Sequence, residues 1–93
     1  MDADMIIPED ARQRYLERRK TDIQTLKDSL SRSSFEEFKR IGHQLKGNAI
    51  SFGYPDLEKI AIQLEAAGDS QNVTAATDLV TAFETWLAIN LKG

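Results

Sequence analysis

The chain has 93 residues, room for one domain with one core, and its 12 basic and 15 acidic side chains give a formal net charge of −3. With no net positive field it is not expected to bind nucleic acid, and with no cysteine it has no disulfide, thiol nucleophile or cysteine-based zinc cluster. There is no run of about 20 apolar residues, and Met1–Ile7 has no positive start, so neither a membrane span nor a signal peptide is expected and the expected location is the cytoplasm.

The first helix opens at Pro8-Glu9-Asp10, with proline suited to a first turn and acids favoured at the positive end of the helix dipole. Leu16, Ile23, Leu26 and Leu30 follow at helical spacing, with Tyr15 beside them, which predicts a helix over about residues 8–31. Arg12 and Arg19 fall on the same stripe and are expected to lay their stems along a neighbour while keeping their heads in water. The wider run from Arg12 to Lys20 is interspersed with acids and reads as a solvated face.

Ser31-Arg32-Ser33-Ser34 makes the first break. Ser33 with Glu36, or Ser34 with Glu37, has the spacing of a capping box for a second helix over about 33–52. Phe35, Phe38, Ile41, Leu45, Ala49 and Phe52 supply its apolar face, and Gly53 supplies a residue able to end it in the left-handed conformation. Pro55 starts a third helix, with Leu57, Ile60, Ala61, Leu64 and Ala67 on one face and Gly68 as its expected stop, over about 55–67. After the polar turn Asp69-Ser70-Gln71, Asn72 is the expected cap of a fourth helix over about 72–91. Val73, Ala76, Val80, Phe83, Leu87 and Leu91 form its stripe, with Trp86 at the border. No segment alternates with period two, so the fold class is all-α. Four amphipathic helices with short connections predict one antiparallel, up-down-up-down four-helix bundle spanning 1–93.

The second helix carries the only histidine, His43. At about 100° per residue, with Phe38 at zero, the apolar residues lie within about 60° and His43 falls near about 140°. Lys39, Lys46, Gly47 and Ile50 lie between about 80° and 180° on the same outward side. An ordinary imidazole is substantially neutral near neutral pH, so one ring nitrogen keeps a lone pair available as a nucleophile. Lys39 at i−4 and Lys46 at i+3 are placed to meet any negative charge that the ring acquires. Gly47 costs about 1 kcal/mol relative to alanine in mid-helix, which suits a surface that another protein must approach closely. Ile50 then extends that surface with apolar area.

The segment His43-Gln44-Leu45-Lys46-Gly47-Asn48-Ala49-Ile50-Ser51-Phe52-Gly53 resembles the H-x-x-K-G-x-x-x-x-x-G signature of histidine phosphotransfer domains, and the likeness continues through Tyr54-Pro55-Asp56-Leu57. The resemblance implies a phosphorelay intermediate that takes a phosphoryl group on His43, at the ring nitrogen farther from the backbone. Its partners would be receiver domains, whose aspartate gives or takes the group, and a histidine kinase. By the same resemblance Lys46 assists the phosphate, Gly47 permits approach of the receiver, and Gly42 is the small residue common before the histidine. Gly47, Ile50, Lys39 and Gly42 together make the expected docking set.

No glycine-rich phosphate loop, nucleophile elbow or metal-ligand set is present, so the chain is not expected to be an enzyme on its own or to need a cofactor. Catalytic power for transfer would come from the partner and its divalent ion. The competing reading is an adaptor bundle that docks partners without chemistry. A monomer is expected.

Overall fold

The computed structural model describes residues 7–92, and among them are four α-helices: α1 Glu9–Ser31, α2 Glu36–Asn48, α3 Pro55–Ser70 and α4 Val73–Lys92. The absence of a signal peptide at Met1–Ile6 is an expectation that lies outside the described residues. Helix α1 packs on α2 and α4, and α3 on α2 and α4. Consecutive helices run in opposite directions, since Tyr15 meets Asn48 and Phe52, Gly42 meets Glu65 while Gly68 meets Lys39, and the end of α3 lies by the start of α4. This is the compact four-helix bundle that the periodicity predicts.

The core is built from the expected stripes. Leu16, Ile23 and Leu26 of α1 meet Phe38, Ile41 and Leu45 of α2, Leu57, Ala61 and Leu64 of α3, and Ala76, Val80, Phe83 and Leu87 of α4. Val73 departs from the pattern and stands exposed in the first turn of α4, so the buried stripe of that helix begins at Ala76. Asn72 caps α4 as expected, its side-chain oxygen accepting the Ala75 N–H at 3.0 Å. Among the described residues no helix is long and apolar enough to cross a membrane.

Three helix ends differ from the sequence reading, each for a local reason. No capping box forms at the start of α2, which has no side-chain cap hydrogen bond. The serines instead close α1: Ser34 N–H reaches Ser29 C=O at 2.8 Å, and Ser33 N–H reaches Leu30 C=O at 3.0 Å. That pair of bonds is the Schellman pattern, and it places Ser33 at φ +54°. The left-handed conformation needed to end α1 takes precedence over capping α2.

Regular α-helical bonding in α2 stops at Asn48 rather than at residue 52. The chain still coils through residues 49–53, where Tyr54 N–H bonds Ala49 C=O and Gly53 N–H bonds Ile50 C=O, both at 2.9 Å. Gly53, at φ +88°, is the left-handed residue that finishes this turn, as expected.

Gly68 does not end α3. The helix continues to Ser70, and Gln71 takes the left-handed position at φ +55°. Gly68 is buried inside the helix, where an added Cβ would lie 2.8 Å from Lys39 N and 3.1 Å from Phe35 O. It is there for helix–helix contact, not for termination.

Candidate functional site

His43 projects from the middle of α2 with 72% of its side chain exposed. One carboxylate from the neighbouring helix comes to it: Glu65 of α3 places Oε2 3.3 Å from His43 Nδ1 and accepts from Lys46 Nζ, through Oε1, at 2.6 Å. Glu65 is itself 27% exposed. The Lys46 hydrogen bond, and to a lesser degree the His43 ring, hold the Glu65 carboxyl below its ordinary range. An ionised carboxylate can only accept, so the nitrogen facing it carries the proton. Nδ1–H therefore donates to Glu65, and in the neutral ring it is Nε2, on the side away from that carboxylate, that carries the lone pair.

The two lysines flanking His43 are both tied to α3. Lys46 is bound to Glu65, and Lys39 lies 3.8 Å from Asp69, a looser and largely exposed ion pair. Gly47 is exposed and has nothing within 4 Å of where a Cβ would stand. Ile50 is 54% exposed and sits in the turn that follows α2 rather than on the helix itself. His43, Lys46, Gly47 and Ile50 thus lie along one outward edge of α2 and its terminal turn.

Because the site around Gly47 is open and its backbone is helical, Gly47→Ala is expected to stabilise the fold by about 1 kcal/mol. The corresponding rise in melting temperature is about 4–8 °C. A thermal melt followed by circular dichroism checks it, and a fall in melting temperature would show that the glycine has a structural role.

Gly42 is placed differently from the expectation that it belongs to a docking surface. It is buried against α3, and a Cβ there would lie 2.6 Å from Glu65 N and 2.8 Å from Ala61 O. Its smallness lets the α3 backbone come close enough for the Glu65 side chain to reach both His43 and Lys46. With Gly68 making the second such contact near Phe35 and Lys39, two glycines set the α2–α3 spacing on which the site depends.

The far end of α2 is anchored to α1 by an aromatic and polar seam. Tyr15 donates its hydroxyl to Asn48 Oδ1 at 2.7 Å and stacks on Phe52, ring centroids 4.2 Å apart. Arg19 does not keep its head in water as its sequence position suggested. It is 8% exposed, with its guanidinium 4.2 Å over the Tyr15 ring and Nε 2.9 Å from Asp22. That ion pair is poorly aligned, since Arg19 Nε and Nη1 are buried without a hydrogen-bond partner. Burial accordingly pushes the Asp22 carboxyl up, the Arg19 charge offsetting only part of the cost. Arg12 is half-buried beside Gly53 and over the Tyr54 ring, so its head is also partly withdrawn from water.

The family model for the Hpt domain matches residues 10–89. The chain belongs to the Hpt domain family. No curated protein and no solved structure matches it at a significant level. Membership gives this Hpt domain a histidine phosphotransfer role in phosphorelays, as a phosphocarrier rather than a kinase, and implies interaction with two-component partners. Glu65 is the site residue that the sequence reading missed. It lies 22 residues from His43, and no local spacing links the two. Its signal is only indirect, through its place on α3 beside Ala61 and Gly68, the small residues that face α2.

Proposed function

We propose that His43 is the phosphoacceptor of this Hpt domain, and that it exchanges a phosphoryl group through Nε2 with the aspartate of a receiver domain. The observation that carries this reading is the exposed imidazole whose Nδ1 is engaged by Glu65 while Lys46 stands beside it. In the accepting direction the Nε2 lone pair attacks phosphorus as the bond to the receiver carboxylate oxygen breaks, and that bond's electron pair stays on the aspartate. The ring gains positive character as it reacts, and the Glu65 carboxylate stabilises that charge through the Nδ1 proton. Donation is the reverse step.

Lys46 has a second task. Once Nε2 carries phosphate, its ammonium can turn from Glu65 toward the phosphoryl oxygens. Gly47 and Ile50, with Lys39 at the margin, form the face on which the receiver sits, because Gly47 offers bare backbone and Ile50 offers apolar area. Gly42 drops out of that face. A histidine kinase is a further donor class, residues 1–93 act as one phosphotransfer domain, and the protein works as a cytoplasmic monomer.

The test uses phosphoramidate as a small phosphodonor. After incubation and removal of the donor, intact mass is read before and after brief acid, and the modified residue is located by peptide mapping. One acid-labile phosphoryl group on His43 is expected. Failure to label with phosphoramidate and with a panel of phosphorylated receivers would leave a docking bundle without phosphoryl chemistry.

A further inference from the structure

One carboxylate engages both the reacting ring and the cation meant for the phosphate, so it is placed to act on how fast a phosphoryl group leaves the ring. Glu65 accepts from Lys46 Nζ at 2.6 Å and faces His43 Nδ1 at 3.3 Å. Lys39, another cation near His43, is directed to Asp69, and its pairing distance of 3.8 Å is the longest of the ion pairs in this part of the surface. The phosphoryl group must therefore compete with carboxylates of α3 for either lysine.

We propose that Glu65 sets the lifetime of the phosphorylated state, keeping His43 a ready donor rather than a store of phosphate. The inference rests on His43 being the phosphoacceptor. Two effects of the same carboxylate act in one direction. By holding the proton on Nδ1, it ensures that when the P–Nε2 bond breaks, the electron pair returns to Nε2 and the leaving group is a neutral imidazole. Without that proton the leaving group would be an imidazolide anion, a much poorer one. By holding Lys46, it also leaves the phosphoryl oxygens less well neutralised, and its own negative charge repels them. In hydrolysis, water attacks phosphorus, the P–Nε2 bond breaks toward nitrogen, and the products are inorganic phosphate and the ring with its proton still on Nδ1.

Glu65→Gln removes the charge while keeping size and an oxygen acceptor. The full chain, wild type and variant, is loaded with phosphoramidate and freed of donor, and the first-order loss of phosphohistidine is followed by phosphorus NMR. Since only loaded molecules are followed, a change in loading yield does not affect the result. The variant's phosphohistidine is expected to last about two- to fivefold longer, the range available to a partly exposed charged pair. Nitrogen NMR of the imidazole gives a second readout that a merely structural role would not move. The proton is expected on Nδ1 in the wild type and shared between Nδ1 and Nε2 in Glu65→Gln. An unchanged or shorter lifetime in the variant overturns the proposal and leaves the phosphoacceptor reading intact. A wild-type protein that takes no phosphoryl group on His43 overturns both.

Discussion

Glutamine at position 43 is expected to abolish phosphoryl uptake while leaving the bundle as stable as the wild type. The side chain is 72% exposed, is not part of the buried core, and has Glu65 as its polar partner on α3. Exposed substitutions of this kind usually change stability by less than about 0.5 kcal/mol. Glu65 keeps its stronger partner, since Lys46 Nζ binds the other carboxylate oxygen at 2.6 Å. The chemical consequence is total by contrast. Glutamine has no ring nitrogen with a free lone pair, and His43 is the only histidine in the chain. Phosphoramidate treatment of His43→Gln should therefore give no acid-labile mass increase, with a thermal melt superimposable on the wild type. Uptake that persists in the variant would place the phosphoryl group on another residue, and uptake lost together with the fold would make the result structural.

The contrast between an exposed ring and its buried support also shows what the sequence could disclose. The outward phase of His43 followed from arithmetic on a single helix, because Phe38, Ile41 and Leu45 fix which side of α2 is inward, and all three are buried. Gly53 and Asn72 were legible for a similar reason, since a left-handed residue and an N-terminal cap act on atoms a few residues away. Gly68 was misread because a glycine suits two situations equally, a helix stop and a close approach of two backbones. Only the position of Phe35 and Lys39, at the start of another helix, decides between them. Ser33 was misread because the end of α1 and the start of α2 make competing demands on the same serines. Arg19 was misread because burying a guanidinium requires both an aromatic face and an acid. Asp22 and Tyr15 supply them from the same helix, but the guanidinium is buried only once α1 is packed in the bundle. Glu65 belongs to this second group, as its role exists only once α3 lies against α2.

That dependence makes Gly42→Ala the most informative structural variant, and it is expected to destabilise the protein by about 2–3 kcal/mol despite introducing a better helix former. Alanine gains about 1 kcal/mol over glycine in a helix interior, a gain that Gly47→Ala should realise in full. At Gly42 the new Cβ would stand 2.6 Å from Glu65 N and 2.8 Å from Ala61 O, both backbone atoms that no side-chain rotation can clear. The α2–α3 pair must separate or shift, and the tightly packed core of Phe38, Leu45, Leu57 and Leu64 must follow. For a domain of this size the melting temperature is expected to fall by roughly 10–20 °C. The shift should also carry Glu65 away from His43 and Lys46, so that the surviving folded protein shows the mixed ring protonation expected of Glu65→Gln. Two glycine-to-alanine changes five residues apart on one helix should thus move stability in opposite directions. Only the one facing α3 should alter the imidazole, although neither touches it. A melting temperature for Gly42→Ala at or above the wild-type value would mean that the α2–α3 contact is looser than these distances require. Glu65 would then need some other support to stay within reach of the histidine.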